Sequence, residues 1–269
     1  MSSLRSLPDR FRRASLDLEL LRTPLSARSA RGVSDLVQLD ITSAARAQRF
    51  RLYPGAPENR IEVLGPDPAR QQLVLFIDEP RRTFELSVPK HRLLPPGTKV
   101  LRESARERVI EQETPGRKRH FLCGMDEQHL FIAELPYGVS STHAARDALR
   151  APEVPSSLVL RGEKVVRQGE WFFLPLLPRQ LALVEALVAK GSLTRGAGIA
   201  QAAQLRRAGR PHVADEIVVA ALEGRERLEV FVRGAVRHPD HQTLVLREFR
   251  RAVPNRERFA QPEGVFWVD

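Results

Sequence analysis

Short apolar segments follow one another from residue 50 to residue 135, and they constrain the fold more than any other feature of the sequence. In each segment apolar residues alternate with polar ones or follow one another directly, and residues typical of turns separate the segments. The segments that we predict as strands are 50–53, 60–65, 72–78, 83–88, 98–103, 107–113, 119–124 and 129–135. Strands this short, spaced about ten residues apart, favour an antiparallel meander, sandwich or small barrel.

The remainder of the sequence adds helices and further strands. Helices are predicted over 141–150, 178–190 and 199–208, because caps or following glycines mark their ends. Further strands are predicted over 157–162, 170–177, 227–237, 243–249 and 264–268. We therefore assign the chain to the α+β class, with mostly antiparallel strands in a sandwich or barrel-like arrangement and a few peripheral helices.

Residues 1–49 differ from the rest in their pattern. Apolar residues recur at helical spacing around Phe11 and around Val37, and the arginine-containing stretch 26–32 separates the two segments. Two short helices, a partly ordered arm and a basic leader that orders only on a partner all fit this pattern. The predicted division is an N-terminal arm, 1–49, and a strand-rich core domain, 50–269.

Composition limits the environment in which this protein works. Charged residues make up 28% of the chain, and no window approaches the ~20 consecutive apolar residues that a membrane-spanning helix needs. The first residues lack the unbroken apolar region of a secretory signal. Cys123 is the only cysteine, so it has no partner within the chain for a disulfide, and we expect it to be buried and unreactive. These features predict a cytoplasmic protein without a membrane association.

A formal net charge of +10 favours polyanionic partners such as DNA or RNA, because Lys and Arg side chains bind phosphates and release counterions. The arginine excess is also what a GC-rich genome produces, and charge runs are commonly solvated faces. If the charge is functional, basic clusters that are distant in sequence should meet on one surface. The predicted nucleic-acid-binding residues are Arg117, Lys118, Arg119, Arg206, Arg207, Arg210, Arg247, Arg250 and Arg251.

Several longer motifs carry a resemblance to other proteins. They are RQGEWFFLP at 167–175, RPHVAD at 210–215, VRGAVRHPDH at 232–241 and GRKRHFLCG at 116–124. Together they resemble a group of uncharacterised bacterial proteins that share RQGEWFF, RPHxAD and VxGxVRHPDH motifs. The resemblance extends from about Phe50 to the C-terminus and implies that 50–269 is one unit. It implies no activity.

The densest group of reactive side chains lies in the last third of the sequence. His212, His238 and His241 are accompanied by carboxylates, and such a set suits Zn²⁺, Mn²⁺ or Fe²⁺. If Pro239 forces a turn after a strand, the two histidines beside it project from the strand end. The alternative is that these histidines cap backbone groups or face solvent, since no compact motif such as H-E-x-x-H is present.

A metal at this place would supply hydrolytic chemistry. Glu216 or Asp240 could act as general base toward a metal-activated water, and arginines could hold a phosphodiester. Acyl transfer is less favoured because the sequence contains no G-x-S-x-G elbow. The stretch Gly191–Gly198 could offer backbone N–H groups to a phosphate, but a connection between two helices is the more ordinary interpretation.

Three functions therefore remain open at the level of sequence. The first is a non-catalytic nucleic-acid-binding protein that recognises the phosphate backbone and needs no cofactor. The second is a metal-dependent phosphodiesterase or nuclease that uses the His/Asp cluster and a divalent metal. The third is a structural or protein-interaction module whose positive surface meets an acidic protein partner.

Overall fold

The computed structural model of this α+β protein describes residues 2–25, 35–42, 48–154, 165–205, 210–222 and 227–257. About half of these residues lie in strands, which pair mostly in the antiparallel sense, and a few helices accompany them, as predicted. The prediction for 50–135 is confirmed, because that stretch is described throughout and contains no helix. Among the described residues, no helix is long and apolar enough to span a membrane.

The chain divides into two compact units. The first comprises the residues up to Cys123 together with Tyr137–Thr142, and the second comprises Gly124–Pro136 and the described residues from His143 onward. Neither boundary coincides with the predicted division at residue 49. The predicted strand at 264–268 and the one at 157–162 lie outside the described residues.

The described residues of the first unit form three small sheets and two short helices. Its elements are α1 Ser2–Arg5, α2 Leu7–Arg12, β1 Leu18–Leu20, β2 Gln38–Ile41, β3 Phe50–Tyr53, β4 Arg60–Asp67, β5 Gln72–Glu79, β6 Arg82–Pro89, β7 Val100–Glu103, β8 Glu107–Thr114 and β9 Arg117–Asp126. The sheets have the orders β1-β3-β2, β9-β5-β4 and β6-β8-β7, and only the β1–β3 pair is described as parallel. β9 continues past Cys123 into the second unit.

The described part of the N-terminal segment belongs to the first unit rather than forming a separate arm. The helix predicted around Phe11 is present only up to Arg12, because Leu18–Leu20 in the same segment forms the strand β1, and the Phe11 ring packs edge-on against Phe50 at 5.5 Å between centroids. The helix predicted around Val37 is wrong, since Gln38–Ile41 is a strand that pairs with β3. Pairing of the backbone with β3 and burial of Leu39 outweigh the local helical spacing there.

The second unit is organised around one six-stranded sheet. Its elements are β10 His129–Glu134, α3 Thr142–Leu149, β11 Val166–Gln168, β12 Trp171–Pro175, α4 Pro178–Ala189, β13 Thr194–Gly198, α5 Ile199–Ala202, β14 Val213–Ala221, β15 Leu228–His238 and β16 His241–Pro254. The sheet has the order β11-β12-β16-β15-β14-β13, and every described pair in it is antiparallel.

Alternation along these strands produces an apolar core on each side of the sheet. One side buries a cluster that includes Trp171, Phe173 and Val232. The other side packs Phe231 and Phe249 beneath α4 through Val184. The sheet is therefore covered on both faces, which explains why β14 and β15 contain nearly continuous apolar runs.

Two predictions for this unit need correction. The stretch Gly191–Gly198 does lie between the helices α4 and α5, but it is not an irregular connection, because Thr194–Gly198 forms the edge strand β13 paired with β14. Its Thr-Arg-Gly-Ala-Gly sequence has little strand propensity, so pairing across the edge of the sheet determines its conformation. The helix predicted over 199–208 is short, ending at Ala202, and residues 206–209 lie outside the described part.

Candidate metal centre

Pairing between three neighbouring strands brings His212, His238 and His241 together. His238 and His241 are directly opposite each other at the two-residue turn that joins β15 to β16. His212 immediately precedes β14, whose first residue, Val213, is opposite Arg237 of β15. One step beyond that pair, His212 lies across from His238, and residues opposite each other on adjacent strands have neighbouring side chains.

The three imidazole rings are close enough to share one ion. One ring nitrogen from each histidine can be chosen so that all three atoms lie within 4.8 Å of one another. The ring centroids are 4.2 Å apart for His212 and His238, 5.0 Å for His238 and His241, and 5.5 Å for His212 and His241. The grouping that the sequence suggested is therefore present in the fold.

Gly169 keeps a space open beside two of these rings. It occupies the first position of the two-residue loop between β11 and β12, and its φ of +53° is one that glycine adopts without strain. A Cβ at this position would lie 2.7 Å from Nε2 of His241 and 3.0 Å from Nε2 of His212. A side chain at this position would therefore force the two rings away from their present positions.

Coiling of the sheet is what brings Gly169 to the histidines. The 14 residues of β16 would span roughly 45 Å if they were straight. β12 pairs with the far end of that strand. The Gln168 side-chain amide nevertheless donates hydrogen bonds to the Gln242 carbonyl near the beginning of β16, at 2.5 Å, and to the Val236 carbonyl of β15, at 3.3 Å. The β15–β16 hairpin thus folds back onto the β11–β12 turn.

His212 is buried without a hydrogen bond to either ring nitrogen. Its side chain is 1% exposed, and neither Nδ1 nor Nε2 has a hydrogen-bond partner. Nδ1 lies 3.3 Å from Oε1 of Glu170, but the two groups are not aligned, so the contact is electrostatic rather than a hydrogen bond. A buried polar group left without a partner costs about 1–3 kcal/mol, which a bound ion would recover.

His238 has hydrogen bonds at both ring nitrogens, and they define its tautomer. Its Nδ1 accepts the backbone N–H of Asp240 at 3.2 Å, so the ring proton is on Nε2, which donates to the Arg210 carbonyl at 3.1 Å. A metal can bind at Nδ1 once the Asp240 N–H is displaced. The bond to the Arg210 carbonyl would then orient the ring, as is usual for metal-bound histidines.

The surroundings favour neutral rings, which is the form that binds metals. Burial lowers the pKa of His238 and of His241 below the ordinary histidine value, and the proximity of His212 lowers both further. Asp126, Glu127 and Glu170 act in the opposite direction on the pKa of His241. These carboxylates also make the neighbourhood favourable for a cation.

The carboxylates that the sequence offered as general bases have different positions. Glu216 is held by two arginines, with Nε of Arg233 at 2.6 Å and Nη1 of Arg195 at 3.5 Å, so it is occupied in an ion-pair network. Oδ2 of Asp240 lies 3.9 Å from Nδ1 of His238. Of the two, Asp240 is the one placed at the centre.

The predicted nucleic-acid-binding residues are in several different environments. Arg119 is 10% exposed and paired with Glu79 at 2.9 Å, while Arg250 and Arg251 are 12% and 10% exposed beside carboxylates. Buried guanidinium groups with carboxylate partners cannot readily turn to a phosphate. Arg117 is half-buried, Lys118, Arg210 and Arg247 are exposed, and Arg206 and Arg207 lie outside the described residues.

Cys123 is fully buried, as expected, and its burial raises the pKa of the thiol.

Sequence reasoning did not identify Gly169 and Glu170 as part of the site. The sequence does place a glycine at the first position of a two-residue loop between two strand-like segments. This pattern predicts a hairpin, but it does not predict which residues from other strands lie beside that hairpin.

The chain was also compared with known proteins. No family model matches it, and neither the curated proteins nor the solved structures contain a significant match. The resemblance to the bacterial group that shares these motifs stays a prediction.

Proposed function

We propose that this protein is a metal-dependent hydrolase with one divalent ion bound by His212, His238 and His241. The observation that carries the proposal is the convergence of one ring nitrogen from each histidine within 4.8 Å. Two further features support it. His212 is buried with unpartnered nitrogens, and Gly169 leaves space at Nε2 of both His212 and His241.

The number of ligands favours catalysis over a purely structural role. Structural zinc sites have four protein ligands, whereas catalytic sites have three and hold a water in the fourth position. The group identified among the described residues consists of the three histidines alone. A metal bound there would leave one position for water, and a metal-bound water with a pKa near 7 provides hydroxide at neutral pH.

Imidazole ligands also limit which metals fit. Neutral histidine nitrogens suit Zn²⁺, Cu²⁺, Ni²⁺ and Fe²⁺, whereas Mg²⁺ and Ca²⁺ prefer oxygen ligands. Zn²⁺ accepts a tetrahedral arrangement with three histidines and one water. We therefore expect Zn²⁺ as the working ion and Co²⁺ as a spectroscopic substitute.

Binding requires a small rearrangement of the rings. Tetrahedral bonds of ~2.1 Å place ligand nitrogens about 3.4 Å apart, which is shorter than the 4.8 Å that encloses them now. The His212 and His238 rings are also stacked, with 17° between their planes, so their lone pairs do not yet point to one centre. Rotation about χ2, which is a soft torsion in histidine, can bring them together.

A phosphodiester is the substrate class that we propose, which makes the protein a phosphodiesterase or nuclease. The net charge of +10 attracts polyanions over a distance. If the three histidines hold a metal, it would supply a Lewis acid and a water of lowered pKa; hydrolysis would add the water oxygen to phosphorus, break one ester P–O bond and leave a proton on the departing oxygen. Asp240 would accept a proton of that water, a role supported by the distance of 3.9 Å between its Oδ2 and Nδ1 of His238.

The test compares metal binding and hydrolysis in three proteins. Wild type, His241→Ala and His143→Ala are stripped with a chelator and titrated with Co²⁺ and Zn²⁺, and hydrolysis of bis(p-nitrophenyl) phosphate is measured. His143 is the matched control because its side chain is 91% exposed on α3. We expect one ion per chain and Zn²⁺-dependent hydrolysis in wild type and His143→Ala, and loss of both in His241→Ala. Equal metal binding by all three proteins would refute the proposal.

Non-catalytic binding of nucleic acid is a second candidate function. It is favoured by Arg247, which is exposed and forms no ion pair with any described residue. If this function is correct, Arg247→Ala should reduce the salt dependence of DNA or RNA binding by about one unit. An unchanged salt slope would contradict a role for this residue.

A further inference from the structure

Glu170 lies beside the buried histidine on the side away from the proposed ion. Its Oε1 is 3.3 Å from Nδ1 of His212, whereas the space left by Gly169 is at Nε2 of the same ring. The two nitrogens of His212 therefore face two different environments, a carboxylate and an open space. A neutral imidazole has one proton, so these environments decide which nitrogen retains a lone pair.

We propose that Glu170 is a positioning residue that holds the proton of His212 on Nδ1 and thereby directs the lone pair of Nε2 toward the metal. This inference rests on the proposed function. Carboxylates that accept a hydrogen bond from the second nitrogen of a metal-bound histidine fix its tautomer and increase its basicity. Rotation of the His212 ring on metal binding would align the Nδ1–H with Oε1, which at present are close but not aligned.

The backbone around Glu170 is well placed to support such a role. Its carbonyl accepts the N–H of Asn255 at 2.7 Å, and Gln168, two residues earlier, is hydrogen-bonded to the β15–β16 hairpin. The Glu170 side chain is 26% exposed, so it keeps contact with solvent on one side. The carboxylate can therefore be changed without removing a core residue.

Other charged groups around the centre have different functions. Glu127 accepts the backbone N–H of Gln242 at 2.7 Å, and Asp240 is near His238 rather than His212. Among the described residues, Glu170 is the carboxylate in contact with His212. A charge-neutral replacement at this position removes the carboxylate in contact with His212, and the protonation of the His212 ring separates this effect from the loss of a negative charge that also acts on His241 and Arg167.

The experiment uses the full-length chain with Co²⁺ as the probe. Glu170→Gln and Glu170→Asp are compared with wild type and with Glu248→Gln, a control that removes the same charge from an exposed side chain of β16. Metal affinity is measured by Co²⁺ titration, and nitrogen NMR of the metal-free proteins reports which nitrogen of His212 is protonated. Thermal unfolding confirms that each variant is folded.

We expect wild type and Glu248→Gln to have the proton of His212 on Nδ1 and to bind one Co²⁺ with equal affinity. Glu170→Gln should still bind one Co²⁺, with an affinity about 10- to 100-fold lower, and Glu170→Asp should recover part of the loss. Unchanged Co²⁺ affinity in Glu170→Gln, or a proton on Nε2 of His212 in wild type, would overturn this inference. Neither result would contradict the proposed metal centre. Failure of wild type to bind Co²⁺ would instead refute the proposed function.

Discussion

Replacing Gly169 with alanine tests whether the space beside the histidines is used. The added Cβ would lie 2.7 Å from Nε2 of His241, and 3.0 Å and 3.1 Å from Nε2 and Cε1 of His212. Both nitrogens are proposed ligands, so the methyl group competes directly with an ion that must come within ~2.1 Å of each. Gly169→Ala should therefore prevent at least two of the three metal–nitrogen bonds.

The size of the effect follows from these contacts. Removing an outer-shell partner of a metal ligand already costs 10- to 100-fold in affinity, so blocking two ligands should cost about 100-fold or more. That is at least about 2.7 kcal/mol of binding free energy. The substitution also places alanine at a φ of +53°, which costs roughly 1–2 kcal/mol of stability by itself.

Gly196 provides a control that separates these two effects. It lies in β13 with a φ of +61°, and a Cβ there would have nothing within 4 Å. Gly196→Ala should therefore have the same cost of positive φ as Gly169→Ala, without the collision with the rings, and should bind metal normally. Isothermal titration with Zn²⁺ and thermal unfolding of the metal-free proteins measure the two quantities. Normal Zn²⁺ affinity in Gly169→Ala would refute the placement of the ion between these nitrogens.

Three other predictions concern the first unit. Glu79→Leu should lower the free energy of unfolding by about 3–5 kcal/mol, because it leaves the buried Arg119 guanidinium without its carboxylate. Glu113→Leu breaks an exposed ion pair and should lower it by less than about 1 kcal/mol. Chemical denaturation measures both values. Cys123 should react with thiol reagents in the native protein only as fast as the fold opens, since burial raises its pKa, and rapid labelling would disagree. Burial lowers the pKa of His120, so its contribution to stability is complete above the unfolded pKa of about 6.5. That contribution is lost as the pH falls below this value, by at most about 1.4 kcal/mol per pH unit. His120→Gln should therefore make the pH dependence of the unfolding free energy shallower, and an identical pH dependence would contradict a lowered pKa for His120.

Local patterns predicted the elements whose structure depends on their own residues. The strands between Phe50 and Leu135 follow from alternation and turn residues, and the β15–β16 hairpin follows from Pro239-Asp240 between two strand-like segments. The hairpin alone places His238 opposite His241. That part of the candidate centre could be predicted from the sequence.

The remaining parts depend on contacts between distant segments. Gln38–Ile41 has helical spacing but becomes a strand because β3 offers it a partner, and Thr194–Gly198 becomes a strand at the edge of β14. His212 joins the centre through the register between β14 and β15, which a one-residue shift would change. Gly169 joins it through the coiling of β16, which no local pattern specifies.

X-ray absorption spectroscopy of the Zn²⁺-loaded protein tests the central claim most directly, because it reports the ligands of the ion itself. A bound ion should show three imidazole nitrogens and one further light atom at about 2.0–2.1 Å. The same spectrum should lose one imidazole in His241→Ala, and His143→Ala should match wild type. A Zn²⁺ ion surrounded by oxygen ligands, or an unchanged spectrum in His241→Ala, would contradict a metal centre at His212, His238 and His241.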